Sequence, residues 1–271
     1  PMRRELPVLV VAACLLASGC SKLERLTIIR PSAERGEYTK TSPTYDVSGA
    51  NARSRNTDPT QLLMSASDLY LKGDLAQAES LAQRALKAEP RSGDAHTLLG
   101  AIANARGQAA AAGVHYAKAV EIAPKTGIYA NNYGTWLCAN DQAMASLAWF
   151  DVAIADPAYP TRAAALANAG SCARQAGQLE RAEASWRQAL AFDPGNVAAL
   201  SGMATLQFSR NQYLDARAFT ERWLAAAPDD VDGLGLAIQV EQKLGDNAAA
   251  SRYLSRLQAI PSGSGPAPRT Q

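Results

Sequence analysis

Between residues 58 and 261, small and large apolar positions return in the same order six times, and each set is closed by a proline. Those prolines stand at 90, 124, 157, 194, 228 and 261, in steps of 34, 33, 37, 34 and 33 residues. The second set reads Leu99-Gly100, then Gly107, then Ala112, Tyr116 and Ala119, then Pro124. The fourth runs parallel with Gly170, Gly177, Ala182, Trp186, Ala189 and Pro194. The first supplies Gly73, Ala78, Ala82, Ala85 and Pro90; the third Gly134, Phe150, Ala153 and Pro157; the fifth Ala204, Ala216 and Pro228. The sixth, with Gly245, Ala250, Leu254 and Pro261, is the most degenerate. This order predicts two helices, A and B, per period. Small residues sit where A and B must approach closely, a glycine takes the left-handed conformation that closes helix A, and proline, lacking an amide donor, stops helix B. Tyr116, Phe150 and Trp186 are expected to fill the gaps between successive periods. Strand-like alternation bounded by hairpin turns is absent from the sequence.

A period near 34 with these residue types resembles the tetratricopeptide repeat, in which antiparallel helix pairs stack on their neighbours. The resemblance implies an all-α superhelix of six helix-turn-helix repeats over residues 58–261. The step of 37 comes from Asp156-Pro157-Ala158-Tyr159-Pro160, two prolines in a longer link between the third and fourth repeats. A local irregularity is expected there, not a domain break.

The N-terminal stretch has a different character. Arg3 and Arg4 precede an apolar run from Leu6 to Ala17, followed by Ser18-Gly19-Cys20. The run is short for a bilayer span and has the three-part form of a secretory signal. A cysteine after small residues at its end resembles the lipobox of bacterial lipoproteins, although Ala17 stands where a larger aliphatic residue is usual. Residues 1–19 would then be a lipoprotein signal peptide, with Cys20 the acylated mature N-terminus. An ordinary cleaved signal with an incidental cysteine is the plainer alternative. Ser21 following Cys20 implies, by the same resemblance, retention in the outer membrane on its periplasmic face. Residues 20–57, rich in Ser, Thr, Arg, Glu and Pro, are expected to be a flexible linker, and residues 262–271 a disordered tail.

Composition narrows the function. Charged residues make up 19% of the chain at a formal net charge of +2, with acids and bases interleaved, so nucleic-acid binding has little electrostatic support. The two histidines, His96 and His115, read as packing or surface residues on the two helices of repeat two. The sequence holds no nucleophile–base order, phosphate loop, paired acid/base set or metal-ligand spacing. An enzyme is therefore not expected, nor a cofactor, a metal or a small-molecule substrate. Cys138 and Cys172 fall two register positions apart on the A helices of adjacent repeats. A disulfide could join them in an oxidising compartment, while two buried thiols are the simpler reading.

Function is then expected to lie in surface recognition on the groove lined by the A helices. Projecting the register places Leu63, Ser67 and Tyr70 of repeat one on that lining. Thr97, Ala101 and Asn104 of repeat two and Asn131, Thr135 and Cys138 of repeat three continue it. Ala167, Ser171 and Arg174, then Ser201, Thr205 and Phe208, extend it through repeats four and five. The lining is small, polar and weakly apolar, and suits an extended peptide or a partner helix. Leu63 and Tyr70 mark the partly apolar edge of repeat one as the first candidate hot spot, the alternative being an N-terminal face simply covered by the preceding linker.

Asn131-Asn132-Tyr133-Gly134 opening repeat three, and Tyr159-Pro160 before Asn168-Ala169-Gly170, resemble the type IV pilus biogenesis/stability lipoproteins of the PilF/PilW family, the secretin pilotins. The resemblance runs from Cys20 to about Pro261. It implies a partner, the type IV pilus secretin, whose outer-membrane localisation and multimerisation the lipoprotein promotes, and thereby a role in pilus biogenesis and twitching motility. It also implies membrane attachment through the N-terminal lipid. Another periplasmic tetratricopeptide-repeat lipoprotein, an adaptor in outer-membrane protein assembly or cell-wall synthesis, is the alternative.

Overall fold

A computed structural model describes residues 58–260, and every regular element among them is an α-helix. There are twelve: α1 (Pro59–Leu71), α2 (Leu75–Ala88), α3 (Gly93–Ala105), α4 (Ala109–Ile122), α5 (Gly127–Ala139), α6 (Ala143–Ala155), α7 (Arg162–Gln175), α8 (Leu179–Phe192), α9 (Val197–Ser209), α10 (Tyr213–Ala226), α11 (Val231–Leu244) and α12 (Asn247–Ala259). Odd-numbered helices are the A helices and even-numbered ones the B helices of six repeats. The chain is an all-α tetratricopeptide-repeat superhelix over these residues. The signal segment, Cys20, the linker, Pro261 and the tail lie outside the described residues.

The proline punctuation acts through the residue ahead of it. Each B helix stops two residues before its proline position, and the intervening residue (Glu89, Ala123, Asp156, Asp193, Ala227 or Ile260) has ψ between 81° and 123°. A proline ring clashes with an α-helical residue immediately before it, so that residue goes extended. The A-to-B turns need one residue at positive φ. Gly73, Gly107, Gly177 and Gly245 supply it in four repeats, while Asp141 at 62° and Asn211 at 59° supply it in repeats three and five. Aspartate and asparagine are the side chains that tolerate this region best. Side-chain caps from Asp58, Ser92, Asn196 and Asp230 start four of the six A helices.

Packing within a repeat rests on alanine. Ala78, Ala82, Ala85, Ala112, Ala119, Ala153, Ala182, Ala189 and Ala216 are fully buried on the B helices. The large residues fill the space between repeats and also press on the A helix of their own: Tyr116 clusters with Tyr133 and Trp136 of repeat three, and Phe150 with Leu166 and Ala167 of repeat four. A Cβ built on Gly100 would lie 2.8 Å from the Tyr116 ring, and one on Gly134 would lie 3.2 Å from the Phe150 ring. Trp186 bridges repeats most closely. It lies between Gly170 of α7 and Gly202 of α9, where added Cβ atoms would come within 2.5 Å and 2.3 Å of its ring. Its Nε1–H donates to the Ala167 carbonyl at 3.2 Å.

Successive repeats are also tied at the surface in a periodic way. Arg106, at the end of α3, pairs with Glu79 of α2, and Arg210, at the end of α9, pairs with Glu183 of α8 at 2.5 Å. Arg222 and Arg256 donate to the carbonyls of Pro194 and Pro228, each 28 residues earlier. Between repeats five and six, Arg217 grips the buried carboxylate of Glu241 with two nitrogens.

The longer link between repeats three and four is an ordered capping loop. Asp156 accepts from Gly127 N at 2.7 Å and from Ala158 N at 2.9 Å, and so caps α5 from 29 residues downstream. These two amide donors hold its carboxyl below the ordinary carboxylate value. Tyr159 is buried against Ala130, Ala153 and Ala165. The inserted residues thus join the core, and α6 and α7 remain packed on each other.

Cys138 and Cys172 form a disulfide, with Cα atoms 5.8 Å apart. The expectation of two buried thiols is corrected here. That Cα separation lies within the span a disulfide bridges. Gln175 adds a hydrogen bond from its Nε2 to the Cys138 carbonyl at 3.3 Å.

Candidate functional site

Each A helix touches the A helix of the next repeat, from α1–α3 through to α9–α11, whereas consecutive B helices make no comparable contact among the described residues. The stack therefore closes up on its A side, and A-helix side chains form the inner lining. The projected groove residues lie on the A helices but in unlike environments, and two of them, Cys138 and Ala167, are buried rather than lining a surface.

Leu63 and Ser67 line an open hollow of about 630 Å³ beside repeat one. Tyr70, one turn further along α1, packs instead against the apolar cluster built on Ala66, Ala78, Ala82, Leu99 and Ile102. Thr97 and Thr135 are half-buried, and their Oγ1 atoms find no hydrogen-bond partner. Asn131 is half-buried and accepts from Asn168 Nδ2 at 3.3 Å, a polar rung between repeats three and four. Ala101 is half-buried and Asn104 is exposed. Of the projected residues, only Leu63 and Ser67 line this hollow.

The rest of the hollow comes from positions the register argument did not use. Thr60, Met64 and Asp68 of α1 face Glu89, Arg91, Ser92, Gly93 and Asp94 at the start of repeat two, with Ile122 and Tyr129 beyond. Met64 is 63% exposed, which is high for so apolar a side chain. Tyr129 is set by two contacts. Its ring covers Gly93 so closely that a Cβ there would lie 2.5 Å away, and its hydroxyl donates to Asp94 at 2.8 Å. Burial and the neighbouring Asp94 carboxylate raise the Tyr129 phenol above its ordinary value, so it stays a neutral donor. A glycine opening a helix directly after its Ser92 cap was the signal in the sequence, because a small residue there leaves room for a ring from the next repeat.

The hollow is thus an apolar floor of Leu63, Met64, Ile122 and Tyr129 with a rim of three carboxylates and one guanidinium. It has the character of a protein-docking site, with apolar anchors surrounded by polar groups. Among the described residues no group of three or more His, Cys, Asp or Glu side chains converges to hold a metal ion.

Known proteins agree with this architecture. Two tetratricopeptide-repeat family models match residues 63–125 and 173–237. The type IV pilus assembly protein PilF of Pseudomonas aeruginosa is 23% identical over 193 residues, which span 71% of this chain and 77% of that protein. The crystal structure of PilW, a widely conserved type IV pilus biogenesis factor, matches with a TM-score of 0.70 at 29% identity, covering 74% of this chain and 93% of that one. The structure of Pseudomonas aeruginosa PilF shares the fold at a TM-score of 0.70 and 22% identity, over 79% of this chain and 95% of its own. With six stacked helical hairpins and matches to that repeat at both ends of the stack, the chain is a tetratricopeptide-repeat protein, and within that fold it resembles the type IV pilus biogenesis factors PilF and PilW.

Proposed function

We propose that the chain is a non-enzymatic type IV pilus biogenesis lipoprotein, a pilotin that binds the pilus secretin and promotes its outer-membrane localisation and multimerisation. The observation that carries this reading is the likeness to PilW across 93% of that protein. The A-helix wall supplies the grip, with Leu63 and Met64 as apolar anchors in the hollow beside repeat one. Acylated Cys20 supplies the location at the periplasmic face of the outer membrane, where several acyl chains together anchor stably. Pilus assembly and twitching motility then depend on a protein that performs no covalent chemistry.

Grip and anchor separate experimentally. Deletion of the protein is expected to abolish secretin multimers in the outer membrane; multimers that form and locate normally without it would end the proposal. In the full chain, Met64→Asp is expected to lose secretin while the lipoprotein itself still fractionates with the outer membrane. Cys20→Ser is expected to do the reverse, binding secretin but leaving it mislocalised.

A further inference from the structure

The chain contains two histidines, and the fold brings them together. His96 on α3 and His115 on α4 meet across the seam of repeat two, with their Nδ1 atoms 3.1 Å apart and ring centroids separated by 5.4 Å at a tilt of 42°. A contact of this length between two imidazole nitrogens is a hydrogen bond only if one ring donates its Nδ1–H and the other offers a lone pair. The pair can therefore hold one proton between the two facing nitrogens, not two. We propose that His96 and His115 form a proton-sensitive latch that holds the two helices of repeat two together at neutral pH and opens when both rings become protonated.

The balance is simple. At neutral pH the bond is N–H···N. In acid the accepting Nδ1 takes a proton from solvent, so two N–H groups face each other and two positive rings are held a hydrogen-bond length apart. Both effects push α3 from α4. The surrounding charges do not cancel this. Burial, His115 and Lys118 all disfavour a proton on His96, and Glu121 opposes them weakly because it is itself paired with Lys118 at 2.8 Å. Burial likewise disfavours a proton on His115, against an opposing pull from Glu79, whose carboxylate is occupied by Arg106. Arg91 acts on Glu121 from the loop before α3. Both rings are thereby held below the ordinary imidazole value of about 6.5.

The sign of the effect follows. The unfolded chain binds protons on these rings more readily than the folded one, so stability present above about pH 6.5 is lost as pH falls below it. The loss also reaches the docking hollow. The amide of His96 donates to the Ser92 carbonyl at 3.2 Å, and Ser92, Gly93 and Asp94 form one wall of that hollow. Acid thus loosens the wall of the site as well as the seam of the repeat.

Because these are the chain's only histidines, side-chain titration between pH 5.5 and 7.5 can be assigned to them without ambiguity. The experiment follows the ring protons by NMR and the thermal midpoint over that range, in the wild type and in His115→Gln. Glutamine keeps an acceptor opposite His96 that a protonated ring can still bond. In the wild type both rings should titrate below about 6.5, and the midpoint should fall by roughly 3–5 °C for each tenfold weakening of proton affinity on folding. In His115→Gln, His96 should titrate nearer its ordinary value and the midpoint should fall less than in the wild type, because burial of His96 remains while the facing ring is gone. Amide exchange, corrected for intrinsic rate, should show protection lost at pH 5.5 in α3 and α4 but kept in α9 and α10. A wild-type midpoint that is flat over this range, or that falls equally in His115→Gln, overturns the latch. These readouts need no partner and are independent of what fills the hollow.

Discussion

Two glycines on neighbouring A helices provide a matched test of the packing that organises the stack. Gly202 in α9 and Gly235 in α11 both sit inside helices, where alanine in place of glycine normally stabilises by about 0.8–1.0 kcal/mol. Their surroundings differ. A Cβ on Gly235 meets nothing within 4 Å, whereas one on Gly202 would lie 2.3 Å from Cε2 and 2.5 Å from Cζ2 of Trp186. Comfortable carbon–carbon contact is roughly 3.5–4.0 Å, so something must move by more than about 1 Å. Trp186 has nowhere to go. It is 1% exposed, its indole N–H is tied to Ala167, and its other face lies against Gly170. Overpacking of this kind costs about 1–3 kcal/mol, and the immobility of the ring argues for the upper end. Gly202→Ala is therefore expected to destabilise by about 1–2 kcal/mol net of its helix-propensity gain, while Gly235→Ala stabilises. Urea unfolding followed by both helical circular dichroism and tryptophan fluorescence gives the two midpoints and exposes any loss of two-state behaviour, a known risk in repeat arrays. In a Trp186→Phe background the smaller ring should make room, so that Gly202→Ala loses most of its cost and a double-mutant cycle shows coupling. If Gly202→Ala raises the midpoint as Gly235→Ala does, the view of Trp186 as a wedge seated between two repeats is refuted.

Three further outcomes are expected. The Cys138–Cys172 bridge closes a loop of 34 residues, so reduction or Cys172→Ser should cost about 3–4 kcal/mol on the chain-entropy estimate; a urea midpoint indifferent to reductant, or free thiols at Cys138 and Cys172 in the unfolded unreduced protein, would contradict it. Replacing Arg217 with methionine strands the Glu241 carboxylate, which is 3% exposed, and should cost about 2–3 kcal/mol after allowing for solvent around the arginine. The double replacement Arg217→Met with Glu241→Met should recover most of that loss by the same measurement. Asp156→Ala should lower the thermal midpoint at pH 7, and the difference from wild type should shrink as pH falls below about 4, because the wild-type carboxyl, held low by the amides of Gly127 and Ala158, then takes up a proton. A difference that persists undiminished at pH 3 would assign the effect to packing rather than charge.

The sequence by itself determined the periodic features of this protein. Helix ends, turns and the alanine seams depend on residues a few positions apart, so the pre-proline residues from Glu89 to Ile260 and the buried alanines fell where the spacing put them. Where glycine is missing from the turn, Asp141 and Asn211 take its place, a substitution that a search for glycines alone passes over. Register also decides which face of a helix a residue occupies, which is why Leu63 and Ser67, four residues apart, line the same hollow.

Only the tertiary structure decided what depends on how far neighbouring repeats slide and rotate. That offset brought Cys138 to Cys172, while the packing of the two helices within one repeat brought the carboxylate of Asp156 to the first amide of α5 and His96 to His115. It also carried Tyr129 over Gly93, so that the hollow holding Leu63 and Ser67 gained a wall from residues outside the projected lining. Shifts of one or two ångströms between rigid helix pairs carry no periodic signature, because they are set by the sum of all side-chain volumes at each interface, and that sum exists only once the helices are packed.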